Sequence, residues 1–327
     1  MQPVQANLSP GLYYQFDRLF FRQRVNGDLV IISASRRTDI PAFYGEWFVN
    51  RLRAGEVLVR NPMNYRQVSR ISLAPESVDA IVFWTKNPAN LIPFLPEIAG
   101  LGYACYFLFT LNPYDRELEP CVPDKESIFE SFRELSRRLG PERVVWRYDP
   151  VIITDRCTPA WHAGEFLRLA ERLSGYTEQC IISFLDEYRK QQRRMAQIPY
   201  ILPDKQQMGD LAGMFADAAR VRGISIATCS HDIDLSLQGI AHSRCIDGDL
   251  VERISGRKLQ RVKKDSRQRH QCSCIESRDI GSYNSCAHGC RYCYAVASHP
   301  VASAAMRASD PLSPLLCDTL RGDERIT

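Results

Sequence analysis

The chain has 327 residues, of which 45% are hydrophobic and 24% are charged, and its formal net charge is +4. This length suits one large barrel or two ordinary domains, and either can bury a substantial core. No apolar run approaches the roughly 20 residues that span a membrane, and the N-terminus lacks the pattern of a secretory signal. A cytoplasmic protein is therefore expected, whose mildly basic charge does not by itself indicate nucleic-acid binding.

In chain order, residues 1–28 show no clear period, but their aromatic side chains indicate a segment packed against the body of the protein. From residue 29 onward, short apolar runs alternate with amphipathic stretches, which is the pattern of buried strands followed by helices. The predicted strands lie at residues 30–35, 78–84, 105–110, 143–150, 179–186 and 224–229, with a small extra strand at 57–60. The predicted helices lie at about residues 42–54, 91–101, 125–139, 158–173 and 206–222.

Strands that alternate with helices and are apolar along their whole length predict an α/β fold with a parallel sheet covered on both faces. Since no glycine-rich turn follows the first strand, the sequence favours a partial (β/α)6 barrel of the TIM type over an open Rossmann-like sheet. We expect this barrel to span residues 29–245. A C-terminal cysteine-rich module would follow at residues 246–297, and the small, polar residues 298–327 would form a loose tail.

Polar side chains stand where the predicted strands end, and in barrels of this type the chemistry lies at those carboxyl ends. Any one of them can be a polar cap where a strand meets solvent, but Arg147 and Asp149 are favoured as functional. Because these two alternate with Tyr148, one of them is expected to point into the barrel mouth. The strand-end residues are Arg36, Arg37, Asp39, Lys86, Asn112, Arg147, Tyr148, Asp149, Asp186, Glu187, Cys229 and His231.

Twelve cysteines in a chain without a secretory signal indicate metal ligation rather than a disulfide framework. Cys286, Cys290 and Cys293 form a C-x3-C-x2-C spacing that leaves a fourth ligand position open. Such a trio suits an iron–sulfur cluster whose last iron binds a small molecule. The alternative is a structural zinc ion completed by His288 or a distant cysteine, although His288 is expected to be exposed.

A second group of cysteines precedes this motif and has enough thiolates to ligate a metal centre fully. Cys272 and Cys274 are two residues apart, so both thiols can face the same way from an extended segment. Together with Cys229 and Cys245 they predict a second site, either a 4Fe–4S cluster or a zinc ion. Residues 257–269, between Cys245 and Cys272, form a basic connector. This connector is interpreted as a solvated linker or a nucleic-acid contact.

Several short motifs along the chain carry a resemblance to a known family. They are residues 35–41 (SRRTDIP), 83–88 (FWTKNP), 146–150 (WRYDP), 245–247 (CID), 268–269 (QR) with Cys272 and Cys274, and 279–284 (DIGSYN) leading into Cys286, Cys290 and Cys293. Through these motifs the chain resembles the family of unknown function numbered 1848 over about residues 30–296. That family is similar to radical S-adenosylmethionine (SAM) enzymes, but its cluster motif lies at the C-terminus.

The resemblance implies a radical SAM enzyme with a 4Fe–4S cluster on the trio and SAM bound at its open iron. SAM would be cleaved to a 5′-deoxyadenosyl radical that takes a hydrogen atom from an unidentified small-molecule or modified-biomolecule substrate. A reductant such as flavodoxin or ferredoxin would supply electrons, and an auxiliary cluster on the four other cysteines would relay them or bind substrate. The rival interpretation is a zinc-stabilised nucleic-acid-binding protein without catalysis.

Strand-end placement assigns roles to individual residues in the implied site. The arginines would pair a carboxylate of SAM or of the substrate, and Asp39 or Asp149 would hold the ribose hydroxyls or the amino group of SAM. The cysteine motif is expected to fold back so that it faces these strand ends. The expected catalytic residues are Arg36, Lys86, Arg147 and Asp149, and the expected cofactor-binding residues are Arg36, Arg37, Asp39, Arg147, Asp149 and Tyr292.

Overall fold

The computed structural model describes residues 30–187, 189–229, 233–260, 262–269 and 271–327. The packing segment expected at residues 1–28 and the strand-end residue His231 lie outside the described residues. None of the described helices is both long and apolar enough to cross a membrane.

Strands and helices alternate along the chain as the hydrophobic pattern predicts. The strands are β1 (Val30–Ala34), β2 (Glu56–Asn61), β3 (Asn64–Ser72), β4 (Val78–Thr85), β5 (Cys105–Thr110), β6 (Val144–Val151), β7 (Gln179–Phe184), β8 (Ser225–Thr228), β9 (Ala241–His242), β10 (Arg278–Asp279) and β11 (Arg325–Ile326). The helices are α1 (Ile40–Phe43), α2 (Gly45–Ala54), α3 (Leu95–Gly100), α4 (Lys125–Leu139), α5 (Pro159–Leu173), α6 (Arg189–Met195), α7 (Lys205–Arg220), α8 (Gly248–Ser255) and α9 (His299–Arg307).

The main sheet has eight strands in the order β10-β1-β4-β5-β6-β7-β8-β9, and all neighbouring pairs are parallel. The predicted α/β class with a parallel sheet is therefore confirmed. The sheet is not closed, since β10 and β9 form its edges among the described residues. Within this sheet, β1, β4, β5, β6, β7 and β8 follow one another in chain order. The sheet therefore lacks the reversal of strand order that creates the central crevice of a Rossmann-like sheet.

Both faces of the sheet are buried, because alternate side chains of each strand pack into different cores. On β4, Ile81 and Phe83 belong to the core beneath the helices. Their neighbours Ala80 and Val82 belong to a second core on the opposite face, which residues 245–275 cover with α8 and the segment carrying Cys272 and Cys274. Residues after β8 are thus an integral layer of the fold.

The end of the chain differs from the loose tail that its composition suggests. Residues 298–327 contain α9 and β11, and β11 pairs with β3 in a small sheet of order β11-β3-β2. The Trp47 indole donates a hydrogen bond to the Ser313 carbonyl (2.9 Å), and Leu315 and Leu316 are buried. A few scattered apolar residues are enough to dock a short segment when a neighbouring sheet edge accepts its backbone.

Candidate active site

A cavity of about 280 Å³ opens at the carboxyl ends of the central parallel strands. Its wall includes every side chain to which the sequence assigned a catalytic, cofactor-binding or metal-binding role, although these lie up to 257 positions apart in the chain. They are Arg36, Arg37, Asp39, Lys86, Arg147, Asp149, Cys229, Cys245, Cys272, Cys274, Cys286, Cys290, Tyr292 and Cys293.

The loop after β1 is held in place by Asp279, a residue to which no site role was assigned. Its carboxylate accepts hydrogen bonds from the hydroxyls of Ser33 (2.8 Å) and Ser35 (3.0 Å) and from the backbone N–H of Arg36 (2.8 Å). The Arg37 guanidinium lies 3.7 Å away. Strand β10 therefore links the C-terminal segment to the first predicted site loop.

Asp39 connects that loop to the cysteine motif. One carboxylate oxygen accepts from Ala42 N–H at the start of α1 (3.0 Å), and the other accepts from Lys86 N–H (2.7 Å) and from His288 Nε2–H (2.8 Å). His288 is only 3% exposed, so the expectation of an exposed histidine is wrong. The sequence does not show this burial because Asp39, whose carboxylate satisfies the buried imidazole, lies 249 residues away in the chain.

Lys86 belongs to a buried ion network centred on Glu119, a residue that sequence reasoning missed. The Glu119 carboxylate binds Lys86 Nζ at 2.7 Å and Lys125 Nζ at 2.5 Å, and it accepts a hydrogen bond from the Tyr292 hydroxyl. Burial would raise the pKa of Glu119, but the two lysines outweigh burial and lower this pKa to about 2. Burial likewise opposes the charge of Lys86, yet Glu119 raises its pKa.

Arg147 and Asp149 both line the cavity, whereas the sequence predicted that only one of them would do so. Residues two apart on a strand share a face, and the two side chains form an ion pair. Ser183 on β7 donates a hydrogen bond to Asp149. Tyr148 points to the other face, where it is fully buried and bonds to His162 (2.7 Å).

Arg36 and Arg147 each have a buried hydrogen-bond donor that finds no acceptor among the described residues. Arg36 lies 3.6 Å from Asp265 and stacks over the Trp84 ring at 5.1 Å. Within the described ranges, its Nη2 and the Nε of Arg147 have no hydrogen-bond partner. Unsatisfied buried donors on arginine suit an anionic ligand such as a carboxylate.

The loop of Cys286, Cys290 and Cys293 is anchored on both sides. The Tyr44 hydroxyl donates to the Ser285 carbonyl (2.6 Å), and Arg291 N–H donates to the Leu118 carbonyl (3.0 Å). Burial raises the pKa of Cys286 well above its ordinary value and that of Cys290 to about 12. These buried thiols would therefore remain protonated unless a cation or metal displaces the protons.

The other four cysteines form a second thiol group on the sheet face opposite the helices. The sulfurs of Cys229 and Cys245 are 3.2 Å apart, and Cys274 Sγ accepts a hydrogen bond from Ile246 N–H (3.3 Å). Hydrogen bonds from the thiols of Cys245 and Cys272 lower the pKa of Cys274. One thiolate is thus stabilised inside a buried group of four sulfurs.

The strand-end cations divide between the two thiol groups. Cys290 of the trio is among the groups that raise the pKa of Lys86. Burial opposes the charges of Lys86, Arg36 and Arg147. Cys245 nevertheless helps to raise the pKa of both arginines. Cys274 also acts on Arg36, and Cys229 also acts on Arg147. Lys86 therefore lies beside the trio, and Arg36 and Arg147 lie beside the group of four.

No three Cys, His, Asp or Glu side chains in the described ranges converge on one point as ligands of a single metal ion would. An iron–sulfur cluster places different demands on its ligands, because each thiolate binds a different iron atom. The donor chemistry of the trio, three cysteines on one cavity wall with a fourth position open, fits such a cluster.

Comparison with known proteins identifies a family match that spans most of the chain. The family model described as Domain of unknown function (DUF1848) matches residues 31–295, which include the whole cavity wall. No curated protein and no solved structure matches the chain.

Proposed function

The chain belongs to the DUF1848 family, and we propose that it is a radical SAM-type enzyme that abstracts a hydrogen atom from its substrate. One observation carries this proposal. Seven cysteines, Lys86, Arg36, Arg147 and Asp149 share the wall of one cavity at the carboxyl ends of a parallel sheet. A pure electron carrier needs no such cavity lined by charged strand ends.

In this proposal Cys286, Cys290 and Cys293 hold a 4Fe–4S cluster, and SAM occupies the cavity beside it. A reduced cluster held there would supply the single electron that cleaves SAM to methionine and a 5′-deoxyadenosyl radical, and this radical would take a hydrogen atom from the substrate. The protein contributes binding, orientation and the exclusion of water.

The chain's own side chains suit those tasks. The unsatisfied donors of Arg36 and Arg147 can bind a carboxylate of SAM or of the substrate. Asp149, held by Ser183 and Arg147, presents a fixed acceptor for ribose hydroxyls or an amino group. Asp39 has both oxygens engaged within the protein, so its role is to orient the His288 loop beneath the trio.

The strand order supports the finer proposal of a partial barrel. Strands β1, β4, β5, β6, β7 and β8 are consecutive neighbours in one parallel sheet, as in a barrel that stops short of closure. Residues 245–275 then fill the inner face. The cysteine motif lies late in the sequence because it is carried by the segment that returns to β1 through β10.

We further propose an auxiliary 4Fe–4S cluster on Cys229, Cys245, Cys272 and Cys274, with a reductant such as flavodoxin or ferredoxin as electron source. Four thiolates can ligate a cluster fully. The two neighbouring arginines offset the negative charge that four thiolates bring into a buried site.

The proposal is tested with anaerobically reconstituted, full-length protein. Brown protein with roughly four or eight irons per chain, depending on whether one or both sites are filled, should form 5′-deoxyadenosine from SAM after reduction by dithionite. Cys286→Ala should abolish the product. Cys157→Ala is the matched control, because Cys157 does not line the cavity, and it should retain activity.

Product no greater than that of Cys286→Ala would refute the proposal. A colourless protein that contains zinc and binds nucleic acid with steep salt dependence would instead support the rival interpretation.

A further inference from the structure

The end of α8 and the basic connector that follows it carry a concentrated positive charge. Residues 253–269 contain eight Lys or Arg side chains and a single acidic residue, Asp265. Asp265 is 4% exposed and turns inward toward Arg36, whereas Glu252, immediately before the segment, pairs with Lys258 (2.6 Å) and offsets one charge at the surface. Seven of the described basic side chains of this segment are exposed. One of them, Arg269, pairs with Asp186, and the other six define what we call the basic face: Arg253, Arg257, Lys258, Lys263, Lys264 and Arg267.

The basic face is fixed to the four-cysteine group by backbone hydrogen bonds, unlike a loose linker. Asp265 N–H donates to the Cys274 carbonyl (2.9 Å), and Glu276 N–H donates to the Lys263 carbonyl (2.8 Å). Leu259 packs against the buried cluster that contains the four cysteines. A molecule bound at this face would therefore sit next to the segment that carries Cys272 and Cys274.

The composition of the face favours a protein partner over single-stranded nucleic acid. Residues 253–269 contain no Phe, Tyr or Trp, whereas single-stranded nucleic acids are bound largely by stacking on such rings. Val262, which is 56% exposed, instead provides an apolar contact within a basic rim, as protein interfaces do.

We propose that the basic face is the docking surface for a small acidic one-electron carrier protein. This inference rests on the proposed function, which requires an electron for each cleavage of SAM. The docked carrier would give up one electron and be oxidised, the centre held by the four cysteines would take up that electron and be reduced, and no atom would be transferred. Opposite charges steer such encounters and speed association.

Charge reversal on the full-length, reconstituted protein tests the docking surface. Lys263→Glu/Lys264→Glu is compared with Arg66→Glu/Arg220→Glu, which changes the net charge equally at exposed sites outside the connector. With reduced flavodoxin or ferredoxin at low ionic strength, the connector variant should need on the order of tenfold more carrier for half-maximal 5′-deoxyadenosine formation. Its rate with dithionite and the behaviour of the control variant should match wild type.

Calorimetric titration of each variant with oxidised carrier measures docking separately from catalysis. Carrier binding and carrier-driven turnover that are the same in both variants would overturn the proposal. The proposal would also be overturned if the wild-type protein bound an oligonucleotide but neither carrier, and if the connector variant lost that oligonucleotide binding. If wild type forms no 5′-deoxyadenosine even with dithionite, the proposed function fails, whereas the titration still decides the docking surface.

The entry point is tested by Cys272→Ala. Electron paramagnetic resonance should show that reduced carrier no longer reduces this variant, while dithionite still produces the signal of a cluster on the trio. Unchanged reduction by the carrier would overturn the four-cysteine group as the entry point.

Discussion

The buried ion network around Glu119 allows the electrostatics of the site to be tested by one substitution, Glu119→Gln. Glu119 is 2% exposed, and its pKa is lowered from an ordinary 4.5 to about 2. A lowering of that size corresponds to about 3 kcal/mol of stability near neutral pH. An independent estimate comes from other buried ion pairs, in which removal of one partner lowers the free energy of unfolding by about 3–5 kcal/mol. We therefore expect Glu119→Gln to lower the free energy of unfolding by about 3 kcal/mol.

The pH dependence has a definite sign. Because the folded-state pKa of Glu119 lies below its unfolded value of 4.5, the stabilisation is complete above that pH and is lost as the pH falls toward 2. The difference between wild type and Glu119→Gln should accordingly be largest at neutral pH and shrink in acid.

Urea unfolding followed by circular dichroism measures these differences. The matched control is Glu117→Gln, whose half-exposed carboxylate pairs with Arg156 at the surface and should cost less than about 1 kcal/mol. Adding Lys86→Met to Glu119→Gln should recover part of the loss, because the uncompensated buried charge is then removed. A Glu119→Gln loss no larger than that of Glu117→Gln would refute the reasoning.

Two further predictions concern packing and protonation. A β-carbon at Gly281 would lie 1.9 Å from Ser35 Oγ, so Gly281→Ala should lower the urea midpoint and loosen the β1 loop. The control is Gly164→Ala, whose β-carbon would meet no atom within 4 Å and which should be neutral or stabilising by up to about 1 kcal/mol. Equal urea midpoints for the two variants would contradict this prediction. Burial lowers the pKa of His162 from 6.5 to about 4, so wild-type stability should fall as the pH decreases from 6.5 to 4, by up to about 3 kcal/mol. His162→Gln should flatten that part of the stability profile, and an unchanged slope would show that the imidazole is not the titrating group.

Several parts of the fold could be predicted from the chain because their signals are local. The apolar runs at β4, β5 and β7 are each bounded by polar or proline-containing segments, so the strands and their carboxyl ends are readable within a few residues. The spacing of Cys286, Cys290 and Cys293 is likewise contained within eight positions. Once these strands are parallel neighbours, their ends must meet at one edge of the sheet.

Other parts had no local signal. Glu119 lies in a loop without helical or strand periodicity, and its partner Tyr292 is 173 residues away. Strand β10 has only two residues, too few for any period, yet it carries the carboxylate of Asp279 that holds the β1 loop. The basic connector looked like a solvated linker because its composition does not show that its backbone pairs with that of Cys274.

The sequence by itself therefore determined the α/β class, the strand ends, and the cysteines and charged strand-end residues of the cavity wall. Only the tertiary structure decided how the buried groups are paired: Lys86 with Glu119, Arg36 with Asp265, and His288 with Asp39 through a hydrogen bond. The physical reason is that a hydrophobic period is encoded between neighbours in the chain. The pairing of buried charges depends on which distant loops the packed sheet brings within hydrogen-bonding distance.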